Sequence, residues 1–326
     1  MDTGSRTGFA PGGSASTGLR IAYIISAYRQ PQMLIRLVNR LQAERTQIYI
    51  HYDLRSPESD FAALKEAFRN QPNVVLLERH RCRWGDFGHV QASLKGIQAA
   101  LQSDNPPDYA ILLTGQDYPL QARETIEDRL RQTNGGSFLE ASPWPIANWE
   151  NGQGIRRIEY YHLHLALPNW VRRLGWPANM QHLKIRMHRQ VPGGLHPYFG
   201  NGYWTLHRSC LEYLQNYVDS HPDFVQFFKG VLIPDECFFQ IILMNSPLAP
   251  TIVSRSLTFV TWRPPWPAIL NTGDLPVLAE TDCLFARKFD LQVDASVLDH
   301  LDRQIDQSPV LPRLPQASPS SKTMRQ

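Results

Sequence analysis

Residues 19–27 read Leu-Arg-Ile-Ala-Tyr-Ile-Ile-Ser-Ala, a continuous apolar run of strand length. A strand buried on both faces of a parallel sheet has this composition. Pro31 then opens a helical pattern that sets Leu34, Leu37, Val38 and Leu41 at helical spacing. The alternation repeats outward from there. Ile48 to His51 predicts a second strand ending in the polar cluster Tyr52-Asp53-Leu54-Arg55-Ser56, and Phe61 to Phe68 a second helix. Val74 to Leu77 predicts a third strand and His89 to Leu101 a third helix. Ala110 to Leu113 predicts a fourth strand, running straight into Thr114-Gly115-Gln116-Asp117-Tyr118-Pro119. Strands alternating with helices specify an α/β chain around a mostly parallel sheet. Such sheets take ligands at the carboxyl ends of their strands. The clusters after the second and fourth strands fall on that edge, which makes Asp53 and Asp117 candidates to meet a nucleotide. The competing reading is a pair of structural turn aspartates.

The chain has 326 residues, 42 % of them hydrophobic, enough for one large α/β domain or two small ones. Its 33 basic residues nearly balance 30 acidic ones, which argues against a nucleic-acid protein that relies on a broad phosphate-binding surface. Cys82, Cys210, Cys237 and Cys283 are widely spread and show no zinc-ligand spacing. They read as buried reduced thiols of a cytoplasmic protein, with a disulfide as the alternative. Residues 1–18 are rich in Gly, Ser, Thr and Ala and hold no apolar run of a signal peptide or anchor helix. They are expected to be a loose tail, as are residues 306–326, leaving one domain over residues 19–305.

From Ser137 to Tyr198 the periodicity loosens. Arg156-Arg157, Tyr160-Tyr161, His162, His164 and Arg172-Arg173 make a basic, aromatic stretch. It reads either as a solvated face or as lids over a sugar or phosphate, since aromatic faces suit a pyranose and arginine suits a phosphate. His182, His188 and His196 lack metal-ligand spacing and read as structural or surface residues.

Two later stretches carry chemistry. Gly200-Asn201-Gly202-Tyr203-Trp204-Thr205-Leu206 predicts a glycine-marked strand that lets a ligand approach the backbone. Ile233-Pro234-Asp235-Glu236 leads into the apolar run Cys237 to Met244 and predicts a helix entry with acids in its first turn. Those acids either complete the helix N-terminus or take a proton from a bound hydroxyl. Beyond them come a predicted strand over Ser256 to Thr261, a proline-rich loop at Pro264 to Pro267, and a closing helix over Asp294 to Ile305.

Five stretches in order resemble the core-2/I-branching β-1,6-N-acetylglucosaminyltransferase family, which includes peptide O-xylosyltransferases. They are Ile50-His51-Tyr52-Asp53, Leu113 to Leu120, Gly202 to Leu206, Pro234-Asp235-Glu236 and Phe285-Ala286-Arg287-Lys288-Phe289. The resemblance implies a GT-A-like, Rossmann-like glycosyltransferase fold. It also implies a UDP-sugar donor, most readily of N-acetylglucosamine or xylose, a hydroxyl-bearing acceptor such as a glycan or glycoside, and inversion without a metal ion or other cofactor. No Asp-x-Asp triplet for a metal occurs in the chain, in keeping with this. On the same resemblance Glu236 is the general base, and Lys288 with an arginine offsets the charge of the departing UDP. Arg255 is the preferred arginine and Arg263 the other choice. The nucleotide then lies near His51, Asp53 and Asp117, with Trp84 by the donor and Arg156 or Arg157 reaching towards it. Tyr203, Trp204, Asp235 and Arg287 complete the donor-site candidates. The family's animal members carry a stem, a membrane helix and disulfides, none of which is found here, so the resemblance is to a bacterial cytoplasmic member.

Two other classes compete. A non-catalytic nucleotide-sugar-binding protein has no need of Glu236, Lys288 and Asp117 together. A hydrolase would need two carboxyls about 5–9 Å apart across a glycosidic bond, and adjacent acids on one turn project apart.

Overall fold

β1 (Ile21–Ala27) forms where the apolar run predicts it, and six of its seven residues are buried. The computed structural model describes residues 18–147, 153–164, 182–263 and 266–307. Both expected tails fall outside those residues, apart from Gly18 and the end of the closing helix, Ser296–Gln307, which runs past the expected boundary at 305. Arg172-Arg173 and residues 264–265 of the proline-rich loop also lie outside.

The alternation continues through α1 (Pro31–Leu41), β2 (Thr46–Tyr52), α2 (Glu58–Phe68), β3 (Val74–Leu76), α3 (Gly88–Leu101) and β4 (Tyr109–Thr114). β1 pairs parallel with β2 on one side, Ile21 opposite Thr46, and with β4 on the other, Ile21 opposite Tyr109. β3 extends the sheet beyond β2. On the far side of β4 the strand Trp204–His207 runs antiparallel to both β4 and β6 (Ser137–Leu139), and Ile252–Val253 closes that edge parallel to β6. The seven-stranded sheet is therefore mostly parallel with one reversed strand, as expected of the α/β class.

Side chains of a strand alternate between the two faces. Ile21, Tyr23 and Ile25 join a core with Leu34, Leu37 and Val38 of α1, while Ala22 and Ile24 join a second core with Val90 and Ile97 of α3. Each such buried Ile or Leu contributes about 1.5–3 kcal/mol, so β1 is clamped from both sides. α3 lies close enough that a Cβ on Gly96 would sit 2.4 Å from Ile24 Cγ2, so only glycine fits there.

The strand order places β1 between β2, reached through α1, and β4, reached from β3 through α3. The connections leave β1 in opposite directions, which makes the carboxyl ends of β1 and β4 the switch point where open α/β sheets hold ligands. β4 leads through Gly115 and Gln116 into β5 (Asp117–Pro119), part of a second sheet. There Phe285–Arg287 pairs antiparallel with β5 and parallel with Thr258–Val260, Arg287 standing opposite Asp117.

Two local expectations change. The strand read from Gly200 begins at Trp204, and residues 200–203 form the turn before it. The helix read from Pro234 opens as a 3₁₀ turn, Pro234–Glu236, and the α-helix proper is Phe238–Met244. Cys237, at φ −148, breaks the helical path between the two.

Candidate active site

The carboxylate side is built on the Pro234–Glu236 turn. Ile233 before it has φ 53, a left-handed conformation that is strained for a β-branched residue, by about 1–3 kcal/mol. Its N–H donates to the Gly85 carbonyl at 2.9 Å, tying the turn to the loop of the exposed Trp84. Asp86 shapes that loop by accepting from Arg83 N (2.9 Å) and Gly88 N (2.8 Å). On the other side the Glu236 carbonyl accepts from Gly200 N at 2.9 Å. A Cβ on Gly200 would fall 1.8 Å from the Glu140 carbonyl oxygen, so the turn closes only with glycine.

Glu236 is half-buried, and its Oε2 lies 2.5 Å from Arg157 Nη1. Burial raises its pKa above the usual carboxylate range, and the Arg157 guanidinium partly offsets that. Asp235 beside it is also raised by burial, with His89 opposing. Its Oδ1 is enclosed and has no partner among the described residues. Arg157 is thus brought to the site on the helix Gln153–Glu159, while Arg156, next to it on the same helix, is exposed.

The turn at 200–203 bridges to a cationic side. Gly202 approaches Asp235, where an added Cβ would stand 3.2 Å from Oδ2. Asn201 accepts from Tyr203 N at 2.9 Å and donates to Glu140 at 2.6 Å. The Tyr203 ring then lies under the Arg287 guanidinium, 4.7 Å from its centre. Arg287 donates through Nε to Asp117 at 3.1 Å. Asp117 is fully buried and also accepts from Thr114 N (2.7 Å) and Thr114 Oγ1 (2.6 Å). Burial raises its pKa against the pull of Arg287. Lys288 is half-buried beside this pair, and burial, Arg287 and Arg29 together depress its pKa. No hydrogen bond or ion pair engages its ammonium among the described residues. Asp117 opposes that shift without pairing directly with the ammonium, and a cation gathered with other cations at a switch point suits an anionic ligand.

The structure does not bring every predicted residue to this place. Arg255 pairs with Asp282 at 2.6 Å, before the start of Thr258–Val260. That strand runs parallel to Phe285–Arg287, so Arg255 sits at the opposite end of the sheet from Lys288. Arg263 pairs with Asp274 at 2.7 Å, but its hairpin leads to Ala268, whose carbonyl accepts from Lys288 N at 3.3 Å. Of the two arginines, Arg263 belongs to the segment packed on Lys288. Trp204 is not a ligand contact either: it is 2 % exposed and packs on Phe239 in the core.

The cluster after β2 also turns inward. His51 is 1 % exposed and accepts from His80 N at 3.1 Å. Burial and the neighbouring His80 push its pKa down to about 3, so it is neutral. Asp53 is buried, and its carboxylate is taken by Arg55, which contacts both oxygens. Burial raises the Asp53 pKa and the Arg55 hydrogen bonds outweigh it, leaving the group below the usual range. Arg55 is held in turn by the Cys82 carbonyl. These residues shape the loop after β2, with the Asp53 carboxylate engaged by Arg55.

His51, His80 and Cys82 form the one group among the described residues with metal-ligand proximity, their ligand atoms all within 4.8 Å. Two of its ring nitrogens are engaged by the backbone. His51 Nε2 accepts from an N–H, so in the neutral ring the proton is on Nδ1, facing Cys82 Sγ at 3.9 Å. His80 Nε2 lies 2.9 Å from the Gly88 carbonyl, which only accepts, so Nε2 carries that proton. The cluster is a hydrogen-bonded knot in which His80 Nδ1 is buried with no partner among the described residues. All four cysteines are free.

Arg29 is the residue that sequence reasoning missed. It stands just past the carboxyl end of β1 and pairs with Asp290 at 3.1 Å, two residues beyond Lys288. Its position directly after the central strand was the available signal.

No helix among the described residues is long and apolar enough to cross a membrane. A family model described as Core-2/I-Branching enzyme matches residues 21–277. The β-1,3-galactosyl-O-glycosyl-glycoprotein β-1,6-N-acetylglucosaminyltransferase 4 of Mus musculus is 25 % identical over 72 % of this chain and 49 % of its own length. Xylosyltransferase 2 of Canis lupus familiaris is 27 % identical over 87 % of this chain and 33 % of its own. The chain thus spans about half of the first relative and a third of the second. Among solved structures, S. aureus TarS 1–349 in complex with UDP-GlcNAc aligns at TM-score 0.31 and 13 % identity, over 65 % of this chain and 53 % of that one. By its α/β sheet, its ordered motifs and a match over most of its length, the chain belongs to the Core-2/I-branching enzyme family, with the GT-A-like fold that its motifs imply.

Proposed function

We propose that this protein transfers a sugar, N-acetylglucosamine or xylose, from a UDP-sugar to an acceptor hydroxyl, with inversion and without a metal ion. The observation that carries the reading is the pairing of a half-buried Glu236, held by Arg157, with an unpartnered Lys288 across the 200–203 turn. The relatives, named for N-acetylglucosaminyl and xylosyl transfer, support the choice of sugars.

In this reading Glu236 accepts the proton of the acceptor hydroxyl. The oxygen forms a bond to the anomeric carbon as the bond from that carbon to the UDP oxygen breaks on the opposite face. One displacement inverts the centre, and the electron pair leaves with UDP. A carboxylate whose pKa is raised by burial is a stronger proton acceptor than a free one. Negative charge grows on the diphosphate in the transition state, and Lys288 is preorganised to meet it. Arg263, on the segment that packs on Lys288, takes the supporting role in place of Arg255. Asp117 contributes by fixing Arg287, and through the adjacent backbone Lys288. The free cysteines fit a reducing compartment, and a cytoplasmic, bacterial setting is part of the proposal.

The test is UDP release from UDP-N-acetylglucosamine and UDP-xylose in EDTA, with and without a sugar acceptor. Glu236→Gln should stop transfer while UDP binding stays within about twofold. A Glu236→Gln enzyme that turns over normally would remove the base. Release of UDP by neither donor would favour a binding protein.

A further inference from the structure

Three cations gather at the switch point, and only two are explained by the function proposed above. Arg287 is fixed by Asp117, and the Lys288 ammonium makes no hydrogen bond or ion pair among the described residues. The third, Arg29, follows β1 and is 41 % exposed in its side chain. One of its nitrogens, Nη2, meets Asp290 at 3.1 Å, and its buried Nε has no partner among the described residues.

The surroundings hold Arg29 in place. Asp290 also accepts from Gln30 Nε2 at 2.6 Å and from Gln292 N at 2.9 Å. Gln30 has φ 54, one of four non-glycine residues with positive φ among the described residues, and another is Ile233 beside the carboxylates. Strain of this kind persists where the surrounding structure over-determines it, and it clusters at ligand sites. Gln116 ties the same corner together, its carbonyl accepting from Phe289 N at 2.8 Å. α1 starts here with no side-chain cap and no acid in its first turn, so its positive end adds to the local charge. Asp117 and Asp290 do not balance three cations and a helix end.

Resting on the UDP-sugar reading, we propose that Arg29 is a third donor-binding cation, contacting the diphosphate from the β1 side while Lys288 contacts it from the other. Asp290 parks the side chain while no anion is bound, and a guanidinium with spare donors serves a phosphate without losing that tether.

The test is calorimetric titration of uridine, UMP and UDP into the unaltered full chain, Arg29→Gln, Arg29→Lys and Asp290→Asn. Arg29→Gln should weaken UDP about tenfold or more and uridine less than about twofold, with UMP between them. Arg29→Lys should recover part of the loss. Asp290→Asn, which frees the arginine, should bind UDP at least as tightly as the unaltered protein. Equal changes for uridine and UDP in Arg29→Gln, or no change in either, would overturn the assignment. So would an Asp290→Asn loss as large as that of Arg29→Gln, since the pair would then be a latch alone. If Asp290→Asn does not fold, the ratio of UDP to uridine in Arg29→Gln decides. An unaltered protein that binds no UDP overturns the donor reading itself, a result distinct from the others.

Discussion

The two halves of the site handle charge in opposite ways. At the Pro234–Glu236 turn Glu236 is given a matching base, Arg157, while burial and the adjacent Asp235 keep its proton affinity high. At the Phe285–Arg287 strand end the bases outnumber the acids, and Lys288 is left among like charges. A general base must exchange a proton during the reaction, so balance suits it. A group that meets a diphosphate must be short of negative charge until the ligand arrives, so imbalance suits it. The 200–203 turn, touching Asp235 through Gly202 and Arg287 through Tyr203, holds these two environments side by side.

Breaking the balanced half has the largest expected effect. Glu236→Gln keeps the size of the side chain and removes the base, and kcat should fall by about 10²–10⁴ with little change in UDP affinity. A loss confined to UDP affinity would move Glu236 into donor binding. Lys288→Ala strikes the other half. It should weaken UDP binding and lower kcat by about 10²–10³ together, because the lost charge acts on the bound ligand and more strongly on the transition state, where the diphosphate charge has grown. Unaltered UDP affinity would take the lysine away from the diphosphate.

Arg157→Leu sharpens the contrast through pH. As the proposed base Glu236 must be ionised, burial already raises its pKa, and Arg157 pulls it back. Without the guanidinium the pKa rises further, so the acid limb of the kcat/KM profile should move to higher pH, losing activity at mildly acidic pH first. A limb that stays put, or moves down, contradicts the pairing. Arg255→Ala should do least. It breaks an exposed pair with Asp282 that contributes about 0–1 kcal/mol, and transfer should stay within about twofold. A loss comparable to that of Lys288→Ala would restore Arg255 to the site.

What the chain discloses before folding follows from which forces are local. β1, α1 and the strands and helices up to β4 are set by apolar spacing, and they appear where that spacing places them. Glu236, Lys288 and Asp117 lie in motifs at strand and turn ends, while Arg157 reaches Glu236 from the helix Gln153–Glu159, which pattern alone does not place. His51 and Trp204 could not be separated from ligand contacts by pattern, since a buried polar or aromatic residue in a strand looks the same whichever side it faces. Arg255 against Arg263 turned on which end of Thr258–Val260 meets Lys288, and that depends on pairing with a strand about 25 residues away. That the Asp53 carboxylate is held by Arg55 depends on the loop folding back on itself, which the pattern does not show.

The measurement that bears most directly on the central claim is the thermal stability of the unaltered protein with UDP, in EDTA and in Mn²⁺. A ligand held by Lys288 and arginines should raise Tm to the same extent in both, by an amount set by its concentration relative to Kd. Stabilisation that appears only with Mn²⁺, or no stabilisation by UDP at all, would contradict the account.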